Sequence, residues 1–164
     1  MSWLLLGIAA LAGVSFLLPV LFGPPYLPTL KPNLDAALEL MDLKPGQTVL
    51  DLGSGDGRVL LAAAQRGWNA VGIELSLLLV LVARLRTWRY RKQVRVLWGN
   101  YFQRQWPPAD GIFSFTIQYQ MAKLDRRVEK WRAGRPIRLC SVAFRIPGKK
   151  PSQERRGVFL YEYK

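Results

Sequence analysis

The period of the apolar positions changes along this chain, and each change marks the edge of an element. Leu34, Ala37, Leu38 and Met41 recur at helical spacing, and Lys44-Pro45-Gly46 then turns the chain into an apolar strand beginning near Val49. Arg58 to Gln65 fits a helix closed by Gly67, and Asn69 to Glu74 reads as a buried strand. Ser76 can cap a helix running to about Arg91, whose apolar run Leu77 to Ala83 is too short to span a bilayer and is expected to pack against the sheet. Strands are predicted at Val94 to Trp98, Gly111 to Phe115 and Ile137 to Phe144, with a helix from about Met121 to Trp131 before the last. Strand and helix alternate, so the chain predicts an α/β domain: a mainly parallel sheet with helices on both faces. Right-handed crossovers then put any ligand at the carboxyl ends of the strands.

The first residues follow a different rule. From Trp3 to Phe22 run 20 residues without a charge, about 30 Å as a helix, which matches the hydrocarbon thickness of a bilayer. A basic n-region and a small-x-small cleavage site before Pro24 are lacking, so an anchor is expected over residues 1–23 rather than a cleaved signal. A proline-rich connector over 24–33 ends it, and residues 34–164 form the domain. Lys and Arg total 24 against 11 for Asp and Glu, giving a net charge of +13, and no ionisable side chain occurs before Lys31. The positive-inside rule therefore predicts a single-pass membrane protein with its domain on the cytoplasmic side. Cys140 is the lone cysteine and there is no histidine, which leaves no residues for a zinc site or a His-dependent triad.

Chemistry concentrates in Asp51-Leu52-Gly53-Ser54-Gly55-Asp56-Gly57, where a strand enters three alternate glycines flanked by two carboxylates. A pyrophosphate loop would avoid Asp51 and Asp56, a dinucleotide fingerprint would want glycine where Arg58 stands, and the phosphate-loop lysine is absent. S-adenosylmethionine (SAM) carries a sulfonium and an ammonium and no phosphate, so it suits this loop in charge and in close backbone approach. The cofactor-binding candidates are Asp51, Gly53, Ser54, Gly55, Asp56 and Gly57. Glu74 joins them: it ends the next strand roughly 20 residues on, where an acid takes ribose hydroxyls. Taken singly, the glycines also suit a plain βα turn, and Glu74 a solvated strand end.

The loop and Glu74 together resemble the class I SAM-dependent methyltransferases. That resemblance implies a Rossmann-like sheet with SAM across its strand ends. It also places Asn100 as a candidate against the adenine amine and Gln118 and Tyr119, after the fourth strand, as acceptor-side candidates for catalysis; a turn asparagine and side chains that merely cap or pack the next helix are equally open readings. Only about 20 residues follow Ile146, and just Gly157 to Tyr163 reads as a strand, so the sheet is expected to be short of one C-terminal strand. The intervening Lys149, Lys150, Arg155 and Arg156 suit a solvated basic loop.

A narrower resemblance joins the N-terminal anchor, Pro25-Tyr26-Leu27-Pro28-Thr29, the Asp51 to Gly57 loop with Arg58, and Gly72-Ile73-Glu74-Leu75. These features are similar to the small membrane-anchored protein-lysine methyltransferases of the ATP synthase c-subunit and the adenine nucleotide translocase. The resemblance implies a lysine of a membrane protein as acceptor. It covers residue 1 to about 120, and Leu75-Ser76 departs from the asparagine-proline pair expected after the acid. Other acceptors consistent with the residues are RNA, a lipid or a small molecule, and a SAM-binding membrane module without turnover is a further alternative. Arg84, Arg86, Arg89, Arg91, Lys92 and Arg95, interleaved with Trp88 and Tyr90, make a basic aromatic patch that suits nucleic acid or an anionic bilayer, with the neighbouring anchor favouring the bilayer.

Overall fold

The computed structural model describes residues 27–164, together with Trp3, Leu6 and Gly7. The anchor expected over residues 1–23 lies, apart from those three positions, outside the described residues. Among the described residues no helix is long and apolar enough to cross a membrane.

Pro32 stands in the first turn of helix α1 (Lys31–Met41), where its missing N–H is not needed, so the helix begins inside the stretch expected to be connector. Strand β1 (Thr48–Leu52) leads to α2 (Arg58–Gln65), β2 (Asn69–Glu74) and α3 (Leu77–Arg86). The Ser76 hydroxyl caps α3 by accepting from Leu79 N–H at 3.4 Å. Helix α3 stops sooner than the apolar pattern suggested: Thr87 Oγ1 donates back to the Ala83 carbonyl at 2.7 Å, and the chain passes into a 3-10 turn over Trp88–Tyr90. Then follow β3 (Val94–Trp98), β4 (Gly111–Ser114), a 3-10 turn over Gln118–Gln120, α4 (Met121–Arg132), β5 (Ile137–Val142), β6 (Gln153–Arg155) and β7 (Val158–Tyr163).

The strands form one sheet of seven in the order β3-β2-β1-β4-β5-β7-β6. Strands β3, β2, β1, β4 and β5 pair in parallel, and β7 enters antiparallel between β5 and β6. The expectation of a sheet short of one strand is thereby corrected. The overlooked strand is β6: it has three residues, all exposed, and its Arg155 belongs to the basic run that looked like a loop. An edge strand this short and polar carries no apolar alternation to reveal it.

Alternation along each strand sorts the core into two layers. Val49 and Ala70 face α1, α2 and α3, packing with Leu38, Leu60 and Ala63, while Leu50, Leu52 and Ile73 face α4, packing with Met121, Leu124 and Val128. Cys140 belongs to the first layer, where burial pushes its thiol up to about 12 and the sulfur donates to the Ala37 carbonyl at 3.4 Å. Helix α3 departs from its expectation. Val80 and Ala83 are buried, but Leu77, Leu78, Leu81, Val82 and Leu85 are exposed, so most of the apolar run faces away from the sheet.

Candidate functional site

A pocket of about 260 Å³ opens at the carboxyl ends of β1, β2 and β4, where the crossovers of a parallel sheet leave a crevice. Asp51 and Leu52 reach it from β1, Glu74 from β2 and Phe113 from β4. Gly53 and Gly55, in the left-handed region at φ 87° and 52°, turn the backbone along its wall. A Cβ on Gly53 would meet nothing nearer than Tyr101 Cε1 at 4.0 Å, so a side chain there would project into the pocket. Gly57 has a different task. Its added Cβ would stand 2.8 Å from Ala83 Cβ, so glycine at this position lets α2 start close against α3, away from the pocket lining.

The two acids of the loop have opposite surroundings. Asp51 is buried, and its Oδ2 has no hydrogen-bond partner. Burial, with repulsion from Glu74 and then Asp56, raises its carboxyl well above the usual carboxylate range. Burial would also raise Asp56, but side-chain hydrogen bonds from Arg58 and Arg86 overcome it and hold that carboxyl at about 2. Arg58 Nη2 lies 2.9 Å from Asp56 Oδ2, Arg86 Nη1 contacts the same oxygen, and Arg58 Nη1 donates to the Thr29 carbonyl at 3.0 Å. Asp56 is thus the knot of a latch tying the loop to α3 and to the segment before α1.

Glu74 is buried at the pocket wall, and burial raises its carboxyl, opposed by backbone N–H donors from Ser76 and Gly55. Both donors stand 2.8 Å away, one on each carboxylate oxygen, which fixes the plane of the group. Ser54 Oγ is another buried oxygen without a partner. Asn100 lines the pocket while its Oδ1 accepts from Phe102 N–H at 2.8 Å, so its turn role and its place at the site coexist.

The far wall is built from Tyr101 and Gln120, which were not singled out in the sequence, and from Thr116, which the sequence places with Gln118 and Tyr119 after the fourth strand. Tyr101 and Thr116 both donate to Gln120 Oε1, at 2.8 and 2.6 Å, and their own oxygens stand 3.0 Å apart. The phenol is raised by burial, against the hydrogen bond with Thr116, so it stays neutral. Gln118 and Tyr119 lie outside the lining: Gln118 Nε2 donates to the Arg145 carbonyl at 3.1 Å, and Tyr119 is 77% exposed. The cause is the 3-10 turn. With three residues per turn, Ile117 and Gln120 share the face that lines the pocket, and the two positions between them point elsewhere. That periodicity is the signal by which Gln120 was discoverable. Leu27, Pro28 and Thr29 also line the pocket, so the supposed connector is part of the site.

A buried carboxylate without a partner, a second acid beside it and glycine-opened space form a donor set for a cation with hydroxyls, and they disfavour phosphate. A family model described as the ANTKMT methyltransferase domain matches residues 51–153. The chain belongs to this family. It is 33% identical over 111 residues to the ATP synthase c-subunit lysine N-methyltransferase of Xenopus laevis, an alignment covering 64% of this chain and 47% of the relative. It is 44% identical over 72 residues to the adenine nucleotide translocase lysine N-methyltransferase of Mus musculus, covering 43% and 31%. The chain spans about half the length of the c-subunit methyltransferases it matches. Among solved structures, an RNA methyltransferase from Salinibacter ruber in complex with S-adenosyl-L-homocysteine superposes with a TM-score of 0.74 at 29% identity, covering 84% of this chain and 92% of that one. The Rossmann-like sheet expected from the resemblance to the class I SAM-dependent methyltransferases is therefore the fold observed.

Proposed function

We propose that this ANTKMT-family chain is a SAM-dependent methyltransferase acting on the side-chain nitrogen of a lysine in a membrane-associated protein. The observation that carries the reading is Asp51: a buried carboxylate with an unpartnered oxygen, beside Glu74, in a pocket at the carboxyl ends of the parallel strands. Asp51 would bind the ammonium of SAM, Glu74 the ribose hydroxyls, and the Gly53 to Gly55 backbone would line the groove, with Asn100 on the adenine side. When bound, SAM supplies a methyl group on a sulfonium, whose transfer to an amine is an in-line displacement.

The chain's part is alignment and water exclusion. A lysine acceptor has to be neutral to attack, and the apolar walls from Phe102, Phe113 and Phe144 disfavour its ammonium form. Tyr101 and Thr116 already donate their hydroxyl hydrogens to Gln120, so their oxygens retain lone pairs that can accept an N–H and orient the amine. Support for lysine comes from the named activities of the relatives, and support for a membrane acceptor from the ATP synthase c-subunit and translocase that those names specify. The uncharged run from Trp3 to Phe22 supports an anchor over residues 1–23, with a short connector before the domain and the domain on the cytoplasmic side.

A second reading, an RNA acceptor, is favoured by the Salinibacter ruber neighbour, which matches over almost its whole length. One experiment separates them. The full chain is incubated with methyl-labelled SAM and host membranes, and the labelled species are identified by mass spectrometry. Label on a lysine side-chain nitrogen of a membrane protein is the expected result. Label chiefly in RNA or lipid overturns the acceptor, and SAM binding without formation of S-adenosylhomocysteine overturns the enzyme. Deleting Met1 to Gly23 should leave SAM affinity nearly intact while lowering methylation of membrane-embedded targets.

A further inference from the structure

Helix α3 exposes a continuous apolar face: Leu77, Leu78, Leu81, Val82 and Leu85 follow the 3.6-residue period, with Leu81 55% and Leu85 78% exposed. Exposed apolar side chains in single positions are ordinary, but five on one ten-residue helix, four leucines and a valine, form a patch with a purpose. Two exposed tryptophans bracket it. Trp98 is tied by its indole N–H to the Leu75 carbonyl, 2.9 Å away, just before the helix starts, and Trp88 lies just beyond its end with the Arg91 guanidinium 5.1 Å over its ring.

Charge names the occupant. From residue 75 to residue 109 the chain carries seven Lys and Arg and no Asp or Glu. Arg84 and Arg86 are engaged by the Val96 carbonyl and by Asp56, while Arg89, Arg91 and Lys92 are exposed where the helix ends. A protein surface would want some carboxylates for specificity, and a nucleic acid would want polar side chains and not a leucine stripe. Leucines flanked by tryptophans and cations, without an acid, match the interface of an anionic bilayer, with apolar side chains among acyl chains and guanidiniums among headgroup phosphates. The helix is about 15 Å long, far too short to span. Residues 1–26, uncharged throughout, join the domain at Leu27 on the rim of the pocket, and Leu27 and Leu30 are themselves exposed. Leu75 and Leu79 line the same pocket, so α3 is at once the apolar face and a pocket wall.

We infer that α3 is an interfacial helix which lies in the headgroup region of an anionic membrane and holds the pocket against the bilayer surface. The inference deepens the proposed function and rests on its membrane-facing acceptor, but it does not need the N-terminal anchor.

The test uses the full chain carrying Leu81→Cys, labelled with an environment-sensitive fluorophore; Cys140 is wholly buried and stays unreacted. The control is Gln153→Cys, on the exposed β6. Both are mixed with vesicles of phosphatidylcholine alone, or with about one-third phosphatidylglycerol. The expected result is a blue-shifted, several-fold brighter signal from position 81 on the anionic vesicles, quenched by brominated acyl chains, with position 153 unchanged. Arg89→Ala with Arg91→Ala should lower that partitioning roughly tenfold or more. A label at 81 that stays as water-exposed as the control overturns the inference, even if the chain itself is in the vesicle. So does a label already shielded without lipid, which would mean a second copy covers the face, or one shielded by an RNA oligonucleotide and not by vesicles. Methyl transfer from labelled SAM to the proteins of host membranes is read in parallel with the same chains: loss of docking with transfer intact sinks this inference alone, and loss of all transfer by the parent chain sinks the proposed function.

Discussion

The two walls of the pocket are built on different principles. The wall from β1 and β2 is a local construction, since Asp51, Gly53 and Gly55 lie within five residues and Glu74 closes on Gly55 N–H from the next strand. It carries two buried acids, and Asp51 Oδ2 finds no partner in the fold. The wall from the segments after β3 and β4 is assembled at a distance, with Tyr101 meeting residues 15 and 19 positions away, and its three polar side chains are neutral and hydrogen-bonded among themselves. A charged wall waiting for a cation should govern cofactor affinity, and a satisfied polar wall should govern the acceptor's orientation. Substitutions on each wall can break that division.

The largest effect is expected at Asp51. Asp51→Ala should weaken SAM binding by about 1.5–3 kcal/mol, the value of a hydrogen bond to a charged group, read by calorimetry. The same change should not destabilise the ligand-free protein, because it removes a buried carboxylate that lacks a partner. The pH sign follows. A carboxyl raised in the fold takes up a proton more readily than in the unfolded chain, so the Asp51 contribution to stability is favourable at low pH and is lost as pH climbs above about 4 towards its raised folded value. Stability of the free protein should fall along that climb, SAM affinity should rise, and Asp51→Asn should flatten both slopes. A parent chain that binds NAD in preference to SAM would remove the charged-wall argument altogether.

Asp56 should behave in the opposite way although it is only five positions along. With its carboxyl held at about 2, its stabilisation is present above the ordinary carboxylate value and is lost as pH falls through that range towards 2. Asp56→Asn removes the carboxylate that two guanidiniums share and should cost about 1–2 kcal/mol of stability, partly screened by solvent. Thermal unfolding should register a drop of about 3–8 °C, with SAM affinity changing less than in the Asp51 variants.

The contrast also explains what the sequence made legible. Three alternate glycines at φ 87°, 52° and 79° interleaved with two acids are a conformational and electrostatic signature that needs no tertiary information, and the β1, α2 and β2 elements around it are bounded by turns of their own. The roles within the loop were another matter. Asp51 and Asp56 look equivalent as letters, and what separates them is a pair of guanidiniums on Asp56, from neighbouring Arg58 and from Arg86, delivered by α3 from 30 residues away. Tyr101, Thr116 and Gln120 are ordinary polar residues until the sheet brings them together. Strand β6 was hidden by having no apolar residue, and α3 misled for the reverse reason: an apolar helical run reads as core, although here its face meets no neighbouring element among the described residues.

On the distal wall, Tyr101→Phe keeps the ring and removes the oxygen that would orient the amine. Turnover should fall by about three- to tenfold, the worth of one neutral hydrogen bond, while SAM affinity stays within about twofold. A change confined to SAM affinity would show that the walls are not divided as argued.

The smallest effect is expected at Tyr119, which follows the same strand end yet sits on the outer face of the 3-10 turn. At 77% exposure, with no place in the pocket lining, its ring can touch a protein acceptor docking at the mouth but not the reacting atoms. Tyr119→Ala should therefore raise KM for the acceptor by about threefold or less and leave kcat and SAM affinity alone, since an interaction made equally before and during the reaction appears only in binding. Steady-state kinetics with the same acceptor used for Tyr101→Phe make the comparison direct. A fall in kcat for Tyr119→Ala as large as that for Tyr101→Phe would mean that the turn rotates inward when the acceptor binds, and that the wall which looks finished is only assembled in the complex.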